Sequence, residues 1–130
     1  MNFLIADDHV LVRLGLREIL ADAFPDALFY EAGNGDEVLT QLTRSEFAVL
    51  LLDINMPGRS GLEVLVDVKR NYARLPVIII SVNPEEQYAP RCLSAGAAAY
   101  ISKDKAPEDL ARTTMNILSS DSSIHRLHAD

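Results

Sequence analysis

Val49-Leu-Leu-Leu52 is an apolar run without polar alternation, followed at once by Asp53 and then by Pro57-Gly58. A strand half-exposed to water alternates apolar and polar residues; one covered on both faces does not, and such strands belong to parallel sheets. Pro57-Gly58 ends the strand and forces a turn. Asp53 is therefore expected at the carboxyl end of a central strand, the edge where open α/β sheets hold their ligands.

The flanking sequence repeats this pattern. Phe3 to Ala6 reads as a first strand, followed by Asp7, Asp8 and His9. Val12, Leu16, Ile19, Leu20 and Ala23 recur at helical steps over Val10 to Phe24, and Pro25-Asp26 ends that helix. Leu28 to Tyr30 reads as a second strand, Glu31 to Gly35 as a turn, and Asp36 to Leu42 as a short helix. Ser60 suits the N-cap of a third helix, with Glu63 placed for a capping box and Leu62, Leu65 and Val68 facing inward. Pro76 to Ile80 is a fourth strand, ended by Ser81. In the helical region from Pro84 to Gly96, Pro90 removes a backbone donor, so the regular helix is expected to begin near Pro90 and to be short. Ala97 to Ile101 is a fifth strand, followed by Lys103; Pro107 to Leu118 is the last helix. From Ser119 the pattern stops, and 119–130 reads as a linker, helix end or tail after a single domain over 1–118. Five strands alternating with five helices predict an α/β, doubly wound, five-stranded parallel sheet. The acidic residues after the first strand suggest that it neighbours the central one.

With 12 Lys and Arg against 19 Asp and Glu, the chain of 130 residues carries a net charge of −7. That is the wrong sign for a domain that itself grips nucleic-acid phosphates. The single cysteine, Cys92, excludes an intrachain disulfide and reads as a small core residue. There is no secretion signal and no apolar run of the ~20 residues that span a bilayer. The expected location is cytoplasmic.

Asp7, Asp8, Asp53, Ser81 and Lys103 all fall at carboxyl ends of strands, which share one edge in such a sheet. Singly, Ser81 reads as a turn residue, Lys103 as a surface charge and Tyr100 as a half-buried strand residue. Together they form a chemical inventory. Three close carboxylates repel one another unless a cation lies between them, and an oxygen-only donor set suits Mg²⁺. Lys103 adds a mobile positive charge and Ser81 a hydroxyl, the groups needed to move a phosphoryl group onto a carboxylate.

Asp7-Asp8, Asp53-Ile-Asn-Met-Pro-Gly58 with Gly61-Leu62, Ser81, and Tyr100 three residues before Lys103 together resemble the receiver domain of two-component response regulators, over residues 1 to 118. The run from Asp7 to Leu16 and the pair Lys103-Asp104 are most similar to the NarL/FixJ branch, whose members usually carry a LuxR-type helix-turn-helix after the receiver. The resemblance implies a flavodoxin-like topology. It implies that Asp53 accepts a phosphoryl group from a sensor histidine kinase, and that Asp7, Asp8, Asp53 and the backbone carbonyl of Asn55 hold Mg²⁺. Ser81 and Lys103 would contact the phosphoryl oxygens, and Tyr100 would turn inward as Ser81 moves. Asn55 and Asn83, each two residues beyond a site residue, are expected to line the path of attacking water and so influence the phosphoryl lifetime. A receiver face could pair two copies, and DNA would be reached only through a helix-turn-helix domain not present in this chain. Asp104 stands where most receivers have proline, a departure common in this branch.

Two other functions use similar groups. Haloacid-dehalogenase-type phosphatases also combine a strand-end Asp, a Ser or Thr, a Lys and acidic metal ligands, but their nucleophile follows the first strand and their acidic pair comes last. A degenerate receiver acting only as an interaction module is the other alternative, against which the intact Asp8, Asp53 and Lys103 argue.

Overall fold

The computed structural model describes residues 1–129, with side chains described through Ser120. Strands β1 (Asn2–Ala6), β2 (Leu28–Ala32), β3 (Val49–Asp53), β4 (Val77–Ser81) and β5 (Ala99–Ser102) alternate with helices α1 (Val10–Ala23), α2 (Gly35–Arg44), α3 (Gly61–Asn71), α4 (Glu85–Ser94) and α5 (Ala106–Ala129). The strands form one parallel sheet in the order β2-β1-β3-β4-β5. This is the five-stranded, doubly wound, flavodoxin-like arrangement expected, with β1 beside β3.

Each strand sends alternate residues to opposite layers. Leu4, Leu50, Leu52, Val77 and Ile79 pack with Val38 and Leu42 of α2, Val64, Leu65 and Val68 of α3, and Ala89 and Cys92 of α4. Phe3, Ile5, Val49, Leu51, Ile78 and Ile80 pack with Leu16 and Leu20 of α1 and with Leu110 of α5. Every residue of β3 and β4 is buried, which is why neither strand alternates. Burying one such Leu or Ile side chain contributes about 2–3 kcal/mol.

Two helix ends differ from expectation. The fourth helix begins at Glu85, not near Pro90, and holds Pro90 in its interior. Pro90 is exposed, so the Glu86 carbonyl deprived of its donor can bond to water, while the buried Ala89 and Cys92 hold the helix to the sheet. The last helix starts at Ala106 and passes Leu118, continuing to Ala129. No glycine or proline interrupts Ser119–Ser123, and serine lowers helix propensity only slightly. The segment read as a linker or tail, 119–130, thus has a helical backbone to Ala129, and its side chains from 121 on lie outside the described residues.

Ser60 accepts from the Glu63 amide, as the N-cap expectation required. Gly58, at φ +79°, takes the left-handed turn that follows β3. Gly61 is demanded by space: a Cβ there would lie 2.4 Å from Ile54 Cα and 2.5 Å from the Asp53 carbonyl oxygen. The Gly61 amide donates to the Ile54 carbonyl at 2.8 Å, clamping α3 against the end of β3.

Candidate functional site

β1 has its two neighbours, β2 and β3, on opposite sides, so the chain reverses direction across the sheet there, and the crevice at such a point is where doubly wound sheets bind ligands. Asp7 and Asp8 leave β1 and Asp53 ends β3 on that same edge. Asp7 and Asp53 are buried, with 0% and 1% relative exposure. Asp8 and His9 stand outside them, facing solvent.

Lys103, in a short 3-10 turn over Lys103–Lys105 after β5, reaches back across the pocket. Its Nζ lies 2.9 Å from Asp7 Oδ2 and 3.3 Å from Asp53 Oδ2, where it donates a hydrogen bond. Asp7 Oδ2 is buried, and the Lys103 ammonium is its close charged neighbour. Asp53 Oδ1 accepts from the Asn55 amide at 3.1 Å. Burial raises the Asp53 carboxyl above its ordinary value and Asp7 adds to this, while the Asn55 amide and Lys103 oppose it. For Lys103, burial works against the cation, but the carboxylates of Asp7 and Asp53 outweigh it and raise the ammonium above its ordinary range.

On the other side of Asp53, Ser81 is fully buried at the end of β4, and its Oγ accepts from the Asn83 amide at 2.9 Å. The Tyr100 hydroxyl donates to the Asn83 carbonyl at 2.9 Å. Its ring is already buried in the layer shared with α4, and burial raises its hydroxyl pKa. The Asn55 and Asn83 carboxamides pair reciprocally, Nδ2 to Oδ1, at 3.1 and 3.3 Å, joining the loops after β3 and β4. The structure thus brings all eight residues singled out in the sequence to one edge of the sheet.

Three groups there escaped the sequence reading. His9 Nδ1 lies 3.0 Å from Asp8 Oδ1 and 3.3 Å from Asp7 Oδ1, and the His9 amide donates to Asp7 Oδ1 at 2.8 Å. Asp7, Asp8 and His9 form a cluster with metal-ligand spacing. Arg13 and Glu31 pair behind the acidic residues. Adjacency to Asp8 was a signal for His9; nothing in the spacing of Arg13 and Glu31, on different elements, could have paired them.

A parallel five-stranded sheet with buried acidic residues and a lysine gathered at its switch point defines a receiver. The chain belongs to the response regulator receiver domain family, whose model matches residues 3–114. It is 34% identical over 119 residues to the response regulator UvrY of Escherichia coli, covering 92% of this chain and 55% of UvrY. It is 32% identical over 111 residues to the nitrate/nitrite response regulator protein NarL of Escherichia coli, covering 85% of this chain and 51% of NarL. The likeness to NarL agrees with the expected resemblance to the NarL/FixJ branch, and the chain spans about half the length of the curated relatives it matches. The structure is similar to that of the response regulator TrrA from Thermotoga maritima, solved in complex with Mg²⁺ and BeF: TM-score 0.79, 25% identity, covering 89% of this chain and 97% of that one. Among the described residues no helix is long and apolar enough to cross a membrane.

Proposed function

We propose that Asp53 accepts a phosphoryl group from a phosphohistidine of a sensor histidine kinase, in a Mg²⁺-dependent reaction, and that the modified strand end changes a helical face to control dimerisation or a transcriptional effector. The observation that carries this reading is the placement of Lys103 Nζ between the buried carboxylates of Asp7 and Asp53. A buried acceptor with a cation already beside it is arranged to gain negative charge.

The donor set fits Mg²⁺. Asp7 offers a buried carboxylate beside the Lys103 ammonium, Asp8 a solvent-facing one close to it, and Asp53 and the Asn55 backbone carbonyl complete an all-oxygen group. When bound, the ion would neutralise charge on the phosphoryl oxygens. The complex of TrrA with Mg²⁺ and BeF supports the same reading.

The ionised Asp53 carboxylate attacks phosphorus; the new O–P bond forms as the P–N bond to the donor imidazole breaks, and the imidazole leaves with that electron pair. Lys103 follows the new charge. Ser81 already accepts from the Asn83 amide, so its own O–H remains to donate to a phosphoryl oxygen. Asn83 also receives the Tyr100 hydroxyl on its carbonyl. A shift of Ser81 toward the phosphoryl group therefore pulls the peptide that holds Tyr100, which couples the two switch residues. The Asn55–Asn83 carboxamide pair bridges the loops flanking Asp53 and restricts water, setting the phosphoryl lifetime.

The partners in this reading are the kinase, a second receiver, and DNA through a C-terminal helix-turn-helix domain beyond residues 1–118, with 119–130 as the connection, in the cytoplasm. The deciding experiment is intact mass after incubation with a small-molecule phosphodonor, with and without Mg²⁺, on wild type and Asp53→Asn. A Mg²⁺-dependent phosphoryl adduct that Asp53→Asn abolishes is expected. Absence of an adduct under every condition would favour the interaction-only module, and rapid donor consumption without an adduct would favour the phosphatase.

A further inference from the structure

We propose that Arg13 is a positioning residue for the acidic pair: its guanidinium fixes the backbone turn that holds the Asp7 carboxylate in the pocket and the Asp8 carboxylate at its mouth. The proposal rests on the receiver reading of that pocket. Arg13 lies in the first turn of α1, where its amide donates to the His9 carbonyl at 3.0 Å. Its side chain is only 16% exposed, low for a residue type that seldom leaves water without a partner. Its Nε donates to Glu31 Oε1 at 2.7 Å and its Nη1 to the Asp7 carbonyl at 2.6 Å. Glu31 belongs to the neighbouring strand β2, in register with Ile5. One planar fork thus ties the end of β1, the start of α1 and the edge strand together.

The tie falls on the peptide that orients the site. The Asp7 amide donates to the Ala32 carbonyl at 3.0 Å, so both backbone polar groups of Asp7 are held, one by β2 and one by Arg13. Freed from Arg13, the Asp7–Asp8 peptide can rotate, and rotation there swings both carboxylates. A lysine cannot substitute, because one ammonium on a flexible stem does not donate along the two fixed directions of a guanidinium.

The sign of the effect separates positioning from charge. Arg13 is a cation behind a cation site, so deleting it reduces repulsion and on electrostatic grounds strengthens Mg²⁺ binding. Weakened binding can come only from lost geometry. The test is a Mg²⁺ titration followed by backbone amide chemical shifts on the whole chain, for wild type, Arg13→Ala, Arg13→Lys and Arg17→Ala. Arg17 also faces Glu31, at 3.6 Å, and serves as the charge control. Amide hydrogen exchange at Asp7 and His9, measured without Mg²⁺, is the second readout. Arg13→Ala is expected to weaken Mg²⁺ binding by about tenfold, the lower end for loss of a group that orients metal ligands, and to speed exchange at Asp7 and His9 while Leu51 and Ile79 stay protected. Arg13→Lys should move both readouts the same way, and Arg17→Ala should leave both at wild-type values. Unchanged or tighter Mg²⁺ binding in Arg13→Ala, or exchange that accelerates equally across the sheet, would overturn the proposal. If wild type itself binds no Mg²⁺, the receiver reading fails instead, and unchanged exchange at Asp7 and His9 in Arg13→Ala then overturns the positioning role independently.

Discussion

Lys103 Nζ lies nearer to Asp7, at 2.9 Å, than to Asp53, at 3.3 Å. The lysine is therefore nearer the carboxylate that is not the proposed acceptor, and in that reading it has only a short way to move when Asp53 gains charge. Replacing it with methionine leaves Asp7 and Asp53 facing each other without a cation. Without divalent ions, Lys103→Met should lose about 2–3 kcal/mol of stability, below the full penalty for breaking a buried pair because the pocket opens to solvent. Added Mg²⁺ should restore part of that loss. Urea denaturation with and without Mg²⁺ measures both; a variant as stable as wild type would contradict the ion-pair geometry.

Asp53 carries a stability effect of the opposite sign. Its carboxyl binds a proton more tightly in the folded chain than the ordinary value of 3.8, chiefly because of burial. Its favourable contribution is complete below that ordinary value and is lost as pH rises through the raised folded value, so the ionised side chain destabilises the fold at neutral pH. Asp53→Asn should accordingly melt higher than wild type at pH 7 in the absence of divalent ions, and the advantage should shrink on acidification toward pH 3.8. A melting series in chelator against pH tests this.

Removing the hydroxyl of Tyr100 leaves the Asn83 carbonyl without the donor now 2.9 Å away. Tyr100→Phe should lose about 1 kcal/mol of stability. It should also weaken the link between Ser81 and the α4 layer, so that phosphorylation shifts the amide resonances of α4 less than in wild type. Full-sized shifts would dissociate Tyr100 from the switch.

Asn83→Ala breaks the carboxamide bridge to Asn55. Water should then reach the phosphorylated Asp53 more readily, and loss of the phosphoryl group should accelerate by about fivefold, equivalent to ~1 kcal/mol off the barrier. The decay of the phosphorylated mass with time gives this rate, and an unchanged rate would remove Asn83 from the proposed water path.

Gly61→Ala needs no ligand to test. Its methyl would meet the Ile54 backbone at 2.4 Å, so α3 must shift away from the end of β3. A loss of about 2–3 kcal/mol is expected, as for overpacking against unyielding atoms, together with slower phosphorylation of Asp53. A melting temperature near that of wild type would mean that the loop after β3 yields more freely than the contacts indicate.

What the sequence disclosed followed from burial. β3 and β4 are covered on both faces, so Val49–Leu52 and Val77–Ile80 announced themselves as unbroken apolar runs, and the strand-end residues Asp53 and Ser81 were located with them. Helix limits were less legible, because they depend on what a local sequence tolerates. Pro90 is a breaker by its chemistry, yet it sits inside α4, where water can satisfy the carbonyl it orphans and Ala89 and Cys92 anchor the turn. Ser119–Ser123 looked like a stop, but serine only weakens a helix. Arg13 and Glu31 stand 18 residues apart on elements that meet only in the folded sheet, and periodicity carries no trace of their contact.

The pocket is stitched from distant parts of the chain. Asp53 and Lys103 are 50 residues apart, and the first carboxylates, Asp7 and Asp8, directly follow β1. During synthesis Asp7 and Asp8 emerge before Asp53, and Asp53 before Lys103, and the parallel strands cannot close around them until the intervening helices have formed. A nascent or truncated chain ending before β5 therefore has Asp53 but no assembled pocket. Under the proposed function, phosphorylation of Asp53 waits on β5, and a copy cut short before Lys103 is expected to be a poor acceptor.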